Sequence, residues 1–180
     1  QETWNDTTIT EGLHTYTVVA ENGKGAGIPA TLSVFVGTDT PGLSTNVVLI
    51  KNAEGKPYLT WEAPVRGVNK GWIGDLKSDI VRLPDNVSMI SNTANLNVTD
   101  LSATALKNYS YKVIAKNSKR TGEASVSNQM VFGNATIPWY EDFTDETTGL
   151  FWTVIDANQN GEYWTWYPHL GVNASPCVGF

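Results

Sequence analysis

Polar and apolar residues alternate strictly in the stretch NYSYKVIAKN, residues 108–117. Tyr109, Tyr111 and Val113 fall on one side of this alternation, and polar residues such as Ser110 and Lys112 fall on the other. A period of two is the spacing of a β-strand with one buried face, because successive side chains of a strand point to opposite faces of the sheet. The pattern therefore predicts a strand that buries Tyr109, Tyr111 and Val113.

The same alternation occurs earlier in the chain, in LHTYTVVAEN at residues 13–22. A constant offset of 95 aligns Tyr16 with Tyr111 and Asn22 with Asn117, and after a one-residue insertion near residues 118–120 the offset becomes 96. The shifted alignment continues through residues 32–37 and 128–133. A period of this size is too long for a solenoid and is typical of tandem domains of about 100 residues.

Further segments have the length and composition of short strands: PYLTWEAP at 57–64, DIVRLPDN at 79–86 and ANLNVTDL at 94–101. Pro57 and Pro64 bound the first of them, because proline cannot donate a hydrogen bond to a sheet. Short strands, turns rich in Gly, Pro and Asn, and the lack of a helical period predict an all-β chain with a β-sandwich fold.

In their order along the chain, LTWEAP, DIVRLPDN, NVTDL and NYSYKVIAKN resemble a fibronectin type III domain over residues 43–133. The resemblance implies an immunoglobulin-like sandwich with Trp61 as a core anchor. It also implies that Leu101, Tyr109 and Val113 belong to the core, and that the Tyr109 hydroxyl closes a corner between the two sheets. Tyr111 joins this predicted core through the alternation of its strand.

Residues 1–40 match only the last strands of such a domain, and His14 stands where the second copy has Tyr109. A neutral imidazole is able to donate to a backbone carbonyl, so we expect a structural role for His14. Half a sandwich leaves its inner face uncovered. Either the missing strands precede Gln1, or this segment binds a partner. The predicted domains are accordingly 1–40, 41–135 and 136–180.

Composition changes in the last part of the chain, where residues 136–180 contain four of the seven Trp and no Lys or Arg. WYEDF, FWTVIDANQNG and YWTW, in that order, are similar to the start of the cleaved-adhesin or choice-of-anchor domains of bacterial secreted and surface proteins. That resemblance implies a partial jelly-roll β domain at the C-terminus. Together with the tandem fibronectin type III modules, it implies a secreted or cell-surface, extracellular setting.

Within this last segment, DANQNG places side-chain oxygens at alternate positions, on Asp156, Asn158 and Asn160. That spacing suits a loop that binds Ca²⁺, and the adhesin modules that the segment resembles bind calcium. The twelfth position, Tyr167, lacks the carboxylate of an EF-hand, so acids within 141–146 would have to complete the ligand shell. A hairpin turn without metal explains the same residues. Calcium is the one cofactor that the sequence suggests.

Aromatic side chains are the other candidate binding groups. Trp72 lies in VRGVNKGWIGDLKS, a Gly-rich segment between two predicted strands, where it is either exposed for binding or folded back as an anchor of the loop. Trp164 and Trp166 are two positions apart and therefore fall on the same face of a predicted strand. This placement suits either stacking on sugar rings or packing in a core. Trp72 is therefore the predicted ligand-binding residue of the sandwich.

The 180-residue chain has a net charge of −6, distributed as −4 over residues 1–40, +4 over 41–135 and −6 over 136–180. No segment has the clustered Lys and Arg that nucleic acids and anionic membranes require, whereas the alternating sign indicates attraction between neighbouring modules. Cys177 is the only cysteine, which excludes an intrachain disulfide. No apolar run reaches the ~20 residues that cross a bilayer, so membrane insertion is not expected.

Motifs for catalysis are absent from the sequence: it has no phosphate-binding Gly loop with Lys and Ser or Thr, no G-x-S-x-G and no H-E-x-x-H. No catalytic residue is predicted. The sequence favours a non-catalytic adhesion or spacer segment that presents other domains of the same polypeptide and binds a host protein or glycan. The alternative is an accessory region of a secreted peptidase or glycoside hydrolase whose catalytic domain lies elsewhere.

Overall fold

The structure, a computed structural model, describes residues 3–135, 142–143, 161 and 164–179. Every element within them is a β-strand apart from one 3-10 turn at Val172–Ala174, so the prediction of an all-β chain is confirmed. No helix in this part of the chain is long and apolar enough to cross a bilayer. Two compact units are present, one formed by 1–100 with 110–128 and the other by 101–109 with 129–180.

An antiparallel hairpin occupies the start of the first unit. Its strands are β1 (Gly12–Val18), β2 (Glu21–Asn22), β3 (Gly25–Ala26) and β4 (Ala30–Val36). β1 pairs with β4 along its whole length, and β2 pairs with β3 at the tip. One face is apolar and includes the cross-strand pair Tyr16 and Leu32, whereas Thr15 and Ser33 join their hydroxyls at 2.8 Å on the other face.

A β-sandwich follows the hairpin. Its strands are β5 (Thr45–Lys51), β6 (Pro57–Glu62), β7 (Lys77–Leu83), β8 (Val87–Thr93), β9 (Asn97–Thr99), β10 (Lys107–Lys116), β11 (Thr121–Val126) and β12 (Met130–Phe132). One sheet has the order β5-β6-β9 and the other the order β11-β10-β7-β8. The first three residues of β10, which belong to the second unit, pair with β12. This strand order confirms the predicted immunoglobulin-like fold.

Alternation along the strands decides which side chains the sandwich buries. Leu59 and Trp61 are buried on β6, Ile80 is buried on β7, and Tyr111 and Val113 are buried on β10. The positions between them on β6 and β7 are partly or largely exposed. Burying one large apolar side chain stabilises a fold by about 1.5–3 kcal/mol, so these residues dominate the packing energy of the sandwich.

The start of β10 is fixed by a hydroxyl. Buried Tyr109 donates a hydrogen bond to the carbonyl oxygen of Ala105, 2.9 Å away, which is the bond that the fibronectin type III resemblance implies. Gly133 passes the same carbonyl at φ +87°, where any side chain would overlap with Ala105. In the first copy, His14 Nε2 lies 2.8 Å from the carbonyl oxygen of Thr10 and acts as the donor. Each bond reaches the carbonyl four residues earlier, so His14 has the structural role that the repeat predicts.

Leu101 does not belong to the core, and its prediction as a core residue is wrong. Its side chain is 68% exposed, whereas its neighbour Asp100 is buried. The Asp100 carboxylate accepts hydrogen bonds from Arg82 Nη1 at 2.8 Å and from the Tyr111 hydroxyl at 2.7 Å. Just after the end of β9 at Thr99, Asp100 is the residue that the sandwich buries, and Leu101 is left exposed. Asp85 also bonds Arg82 and raises the pKa of its guanidinium further above the ordinary value, which keeps Arg82 charged.

The second unit ends in a strand pair. β13 (Thr165–Tyr167) and β14 (Cys177–Gly179) are antiparallel, and Trp166 Nε1 donates to the carbonyl oxygen of Phe143 at 2.9 Å. This pairing is β-structure, but the jelly-roll identity of residues 136–180 stays a prediction. Most of that segment, including 144–160, lies outside the described residues.

We predict that Tyr109→Phe lowers the free energy of unfolding by about 1–2 kcal/mol, because it leaves the Ala105 carbonyl without its hydroxyl donor. Urea unfolding followed by circular dichroism measures the change. Tyr58→Phe is the matched control, since Tyr58 is only partly buried and its hydroxyl makes no hydrogen bond within the described residues. Equal losses in the two variants would contradict the structural importance of the corner bond.

Candidate functional site

The loop that carries Trp72, residues 63–76 between β6 and β7, lies against the short segment that links the hairpin to the sandwich. Backbone hydrogen bonds join the two segments: Asp39 N to Trp72 O at 2.7 Å, Val68 N to Thr40 O at 3.0 Å and Gly42 N to Arg66 O at 3.2 Å. Backbone hydrogen bonds therefore hold the loop against the linking segment. We call residues 63–76 the Trp72 loop.

Asp39 is the centre of this arrangement. Its side chain is 0% exposed, and its carboxylate accepts hydrogen bonds from protein donors on both oxygens. The amides of Asn69 and Gly71 bond Oδ2 at 2.8 and 3.1 Å. The Asn69 side-chain amide and the Thr40 backbone amide bond Oδ1 at 2.9 and 2.8 Å. The carboxylate thus takes the place of the backbone acceptors that the loop amides would otherwise need, and so it determines the path of the loop.

Glycines allow the loop to approach the carboxylate so closely. A side chain at Gly67 would overlap with the Asp39 carboxyl group. At Gly71, a Cβ atom would lie 3.0 Å from the Asp39 Cβ and 2.9 Å from the Cβ of Phe35, the penultimate residue of β4. Two glycines four residues apart are thus required by packing, and the loop touches both the linking segment and the hairpin.

Two opposing effects act on the pKa of Asp39. Burial by itself raises the pKa of the carboxyl group, because it penalises the charged form. Hydrogen bonds from Asn69, Gly71 and Thr40 together outweigh burial and hold the pKa below its ordinary value of 3.8. Asp39 is therefore charged at neutral pH, and the loop is built around a buried anion.

Trp72 itself points to solvent, and its indole is 71% exposed. Its ring lies over Gly74, where a Cβ atom would be 3.4 Å from the ring and where φ is +67°. Val65 and Val68 on the same loop are also exposed, and Arg66 spans the loop by donating from Nη1 to the carbonyl oxygen of Lys70 at 3.3 Å. The Trp72 loop thus presents an aromatic ring, aliphatic side chains and cationic groups on a fixed backbone.

The other predicted binding residues are less completely placed. Asp156, Asn158 and Asn160 lie outside the described residues, so the calcium hypothesis stays a prediction. In the ranges that the structure covers, no group of three or more His, Cys, Asp or Glu side chains is arranged to hold a metal ion. Trp164 is 56% exposed, whereas Trp166 is partly buried and bonds the carbonyl oxygen of Phe143.

Sequence reasoning missed Asp39 and Asn117. Asn117 Nδ2 donates to the carbonyl oxygens of Asp39 at 2.8 Å and Ile73 at 3.0 Å, so it ties a third segment to the Trp72 loop. One signal was present, because the repeat aligns Asn117 with Asn22 and both follow the same strand pattern. Asp39 gave no such signal, since an isolated Asp beside Thr and Pro is typical of an exposed turn.

We predict that Asp39→Ala lowers the free energy of unfolding by about 3 kcal/mol, because it leaves several part-buried amides without an acceptor. Asp39→Asn retains one oxygen and should lose less. The stabilisation from the wild-type carboxylate is fully present above about pH 4, the ordinary pKa of Asp, and is lost as the pH falls through the lowered pKa of the folded state. Thermal melting between pH 7 and pH 2.5 measures this dependence.

Asp75→Asn is the control, because Asp75 is exposed on the same loop. Asp39→Asn should show a shallower acid dependence than the wild type, whereas Asp75→Asn should follow the wild type. A wild-type acid dependence in Asp39→Asn would contradict the assignment of a buried, charged carboxylate.

Comparisons with known proteins give similarity of structure only. No protein-family model matches the chain, and no curated protein sequence matches it. Among solved structures, it is similar to domains d3–d4 of the rat CD45 extracellular region, with 11% identity and a TM-score of 0.41 over 72% of this chain and 70% of that one.

The chain is also similar to the chicken CNTN1 FN1–FN3 domains and to titin domains A168–A170. The first similarity has 16% identity and a TM-score of 0.42 and covers 68% of this chain and 44% of that one. The second has 17% identity and a TM-score of 0.37 and covers 67% and 41%. All of these TM-scores are below 0.5, so the immunoglobulin-like assignment rests on the strand order of the chain itself.

Proposed function

We propose that this chain is a non-catalytic segment of a secreted or cell-surface protein, which spaces neighbouring domains of the same polypeptide and binds a protein or glycan through the Trp72 loop. The observation that carries the proposal is an exposed indole on a loop that a buried carboxylate holds in place. Loops on a rigid sandwich are common positions for binding residues.

Pre-organisation is the physical reason why such a loop suits binding. A loop that is already ordered loses little conformational entropy when a ligand binds, so more of the contact energy appears as affinity. Trp is also among the residues that most often dominate interfaces, because its ring buries a large area with few rotatable bonds. The aromatic face suits a pyranose ring or an apolar side chain, and Arg66 and Lys70 add positive charge beside it.

The spacer role is supported by tandem construction. We propose that residues 1–40 are the last strands of one fibronectin type III domain, that 41–135 are a second such domain, and that 136–180 begin a jelly-roll adhesin-like domain. In the second copy, Tyr111 and Val113 are buried beneath the sheet β5-β6-β9. In the first copy the equivalent face is only partly covered, since Trp4 packs edge-on against Tyr16 while Leu32 is 67% exposed, and a similar three-stranded sheet would cover it.

We predict that Trp72→Ala weakens binding at least tenfold, which corresponds to about 1.4 kcal/mol, because the exposed ring supplies the main contact area. The measurement is a screen of the whole chain against a glycan array and a panel of extracellular matrix proteins, followed by affinity determination for each hit. The two arms distinguish a glycan from a protein ligand.

Trp164→Ala is the matched control, since it removes another exposed Trp that lies outside the Trp72 loop. Loss of binding in Trp72→Ala alone would support the proposal. Equal affinity of Trp72→Ala and wild type, or equal loss in both variants, would remove the Trp72 loop from the binding role. Absence of any ligand would leave only the spacer role.

We also propose that Asp156, Asn158 and Asn160 contribute ligands to a structural calcium ion. The donor set fits a hard cation because it consists of oxygens. At a Ca²⁺ concentration of 100 times Kd, binding stabilises the folded state by about 2.7 kcal/mol, so we predict a rise of several degrees in Tm on adding millimolar Ca²⁺ to chelator-treated protein. The same experiment on Asp156→Ala should show no shift. An unchanged Tm in the wild type, or an equal shift in the variant, would contradict the site.

A further inference from the structure

The turn between β10 and β11, residues 117–120, is folded around one side chain. Asn117 Oδ1 accepts hydrogen bonds from the amides of Lys119 at 3.0 Å and Arg120 at 2.8 Å. The amide of Asn117 donates to the carbonyl oxygen of Arg120 at 3.0 Å. Since Asn117 Nδ2 also bonds Asp39 and Ile73, the turn is fastened both internally and to the linking segment.

Two cations of this turn reach the base of the hairpin. Lys119 Nζ lies 2.6 Å from Glu11 Oε2, and Arg120 Nη2 lies 3.3 Å from Glu11 Oε1. The Arg120 guanidinium also lies over the ring of Phe35, 5.4 Å from its centroid. Glu11 immediately precedes β1 and Phe35 lies near the end of β4, so the contacts include both strands of the hairpin.

Glu11 is itself held in position by the linking segment. A Cβ atom at Gly37 would lie 2.5 Å from Glu11 Cγ, and Gly37 has a φ of +92°. Glycine is thus required where the Glu11 stem crosses the chain just after β4. Lys119, which donates a hydrogen bond and contributes a positive charge, lowers the pKa of Glu11, so the acid is charged at neutral pH.

The first copy of the repeat shows that the Arg120 side chain is additional to what the turn requires. The strand registers of the two copies match at a constant offset of 95 through this turn, because Asn22 pairs with Gly25 as Asn117 bonds Arg120, so Arg120 stands where the first copy has Gly25. The first copy closes its turn with glycine at this position, and the Asn22 side chain accepts the amide of Lys24 at 2.8 Å. The turn therefore closes without a large side chain here, and the Arg120 side chain supplies a contact to the preceding module.

From these contacts we infer that residues 117–120 form a docking surface for the preceding module, in which Lys119 and Arg120 bind Glu11 and Phe35 and so set the angle between the hairpin and the sandwich. The inference rests on the proposed spacer function and names the contact that would orient the two modules. The net charges of −4 and +4 on residues 1–40 and 41–135 are complementary across the contact. The ion pairs are part-exposed, so dissolved salt weakens them, whereas the Asn117 bonds keep the turn folded.

The test is a distance measurement between spin labels in the full chain by pulsed electron paramagnetic resonance. Labels are attached at Lys24→Cys, on the hairpin tip, and Glu54→Cys, on the sandwich, in a Cys177→Ser background that removes the native thiol. We expect one narrow distance distribution in low salt. Its width should increase at least twofold in 1 M NaCl, and by a similar amount in low salt for Glu11→Gln and for Arg120→Ala.

Glu21→Gln is the control, because it removes an exposed acid from the hairpin tip and should leave the distribution narrow. Thermal melting of each variant verifies that the sandwich is folded. A broad distribution for the wild type in low salt would overturn the inference, as would unchanged widths in both Glu11→Gln and Arg120→Ala. This result is independent of ligand binding. Failure of the docking surface at residues 117–120 is therefore distinguishable from failure of Trp72 as a binding residue.

Discussion

The buried carboxylate of Asp39 is the interaction on which the Trp72 loop depends. An unpaired charge in a protein interior is strongly unfavourable, because it loses the hydration that it has in water. Asp39 avoids that penalty by accepting hydrogen bonds from Thr40, Asn69 and Gly71. The same bonds define the path of the Trp72 loop, so the charge and the loop are stable only together.

Three segments meet around this carboxylate. The Trp72 loop, the linking segment at 39–42 and the turn at 117–120 are distant in sequence, yet hydrogen bonds accepted by Asp39 and donated by Asn117 join them. The turn that reaches back to the hairpin is thus also part of the support for the exposed indole. A structural feature that orients one module therefore positions the candidate binding residue on the next. This arrangement suits a segment that separates neighbouring domains and presents a binding residue.

The sequence was sufficient where local periodicity determines the structure. Alternation predicted the strand that buries Tyr111 and Val113, and the repeat identified His14 as the counterpart of Tyr109. It was insufficient at Leu101, which follows the end of β9, since no local pattern indicated that Asp100 would pair with Arg82 inside the sandwich. Asp39 was missed because its partners at Asn69 and Gly71 are about thirty residues away, and only folding brings them together.

The most direct test of the account is amide hydrogen exchange, resolved by residue with NMR, at Asn69 and Gly71. If the Asp39 carboxylate holds the loop, both amides exchange slowly in the wild type at neutral pH. In Asp39→Ala they should exchange at least tenfold faster, while the amide of Val113 in the core strand β10 keeps its protection. Equal exchange of Asn69 and Gly71 in the two proteins would contradict the central role of the buried carboxylate.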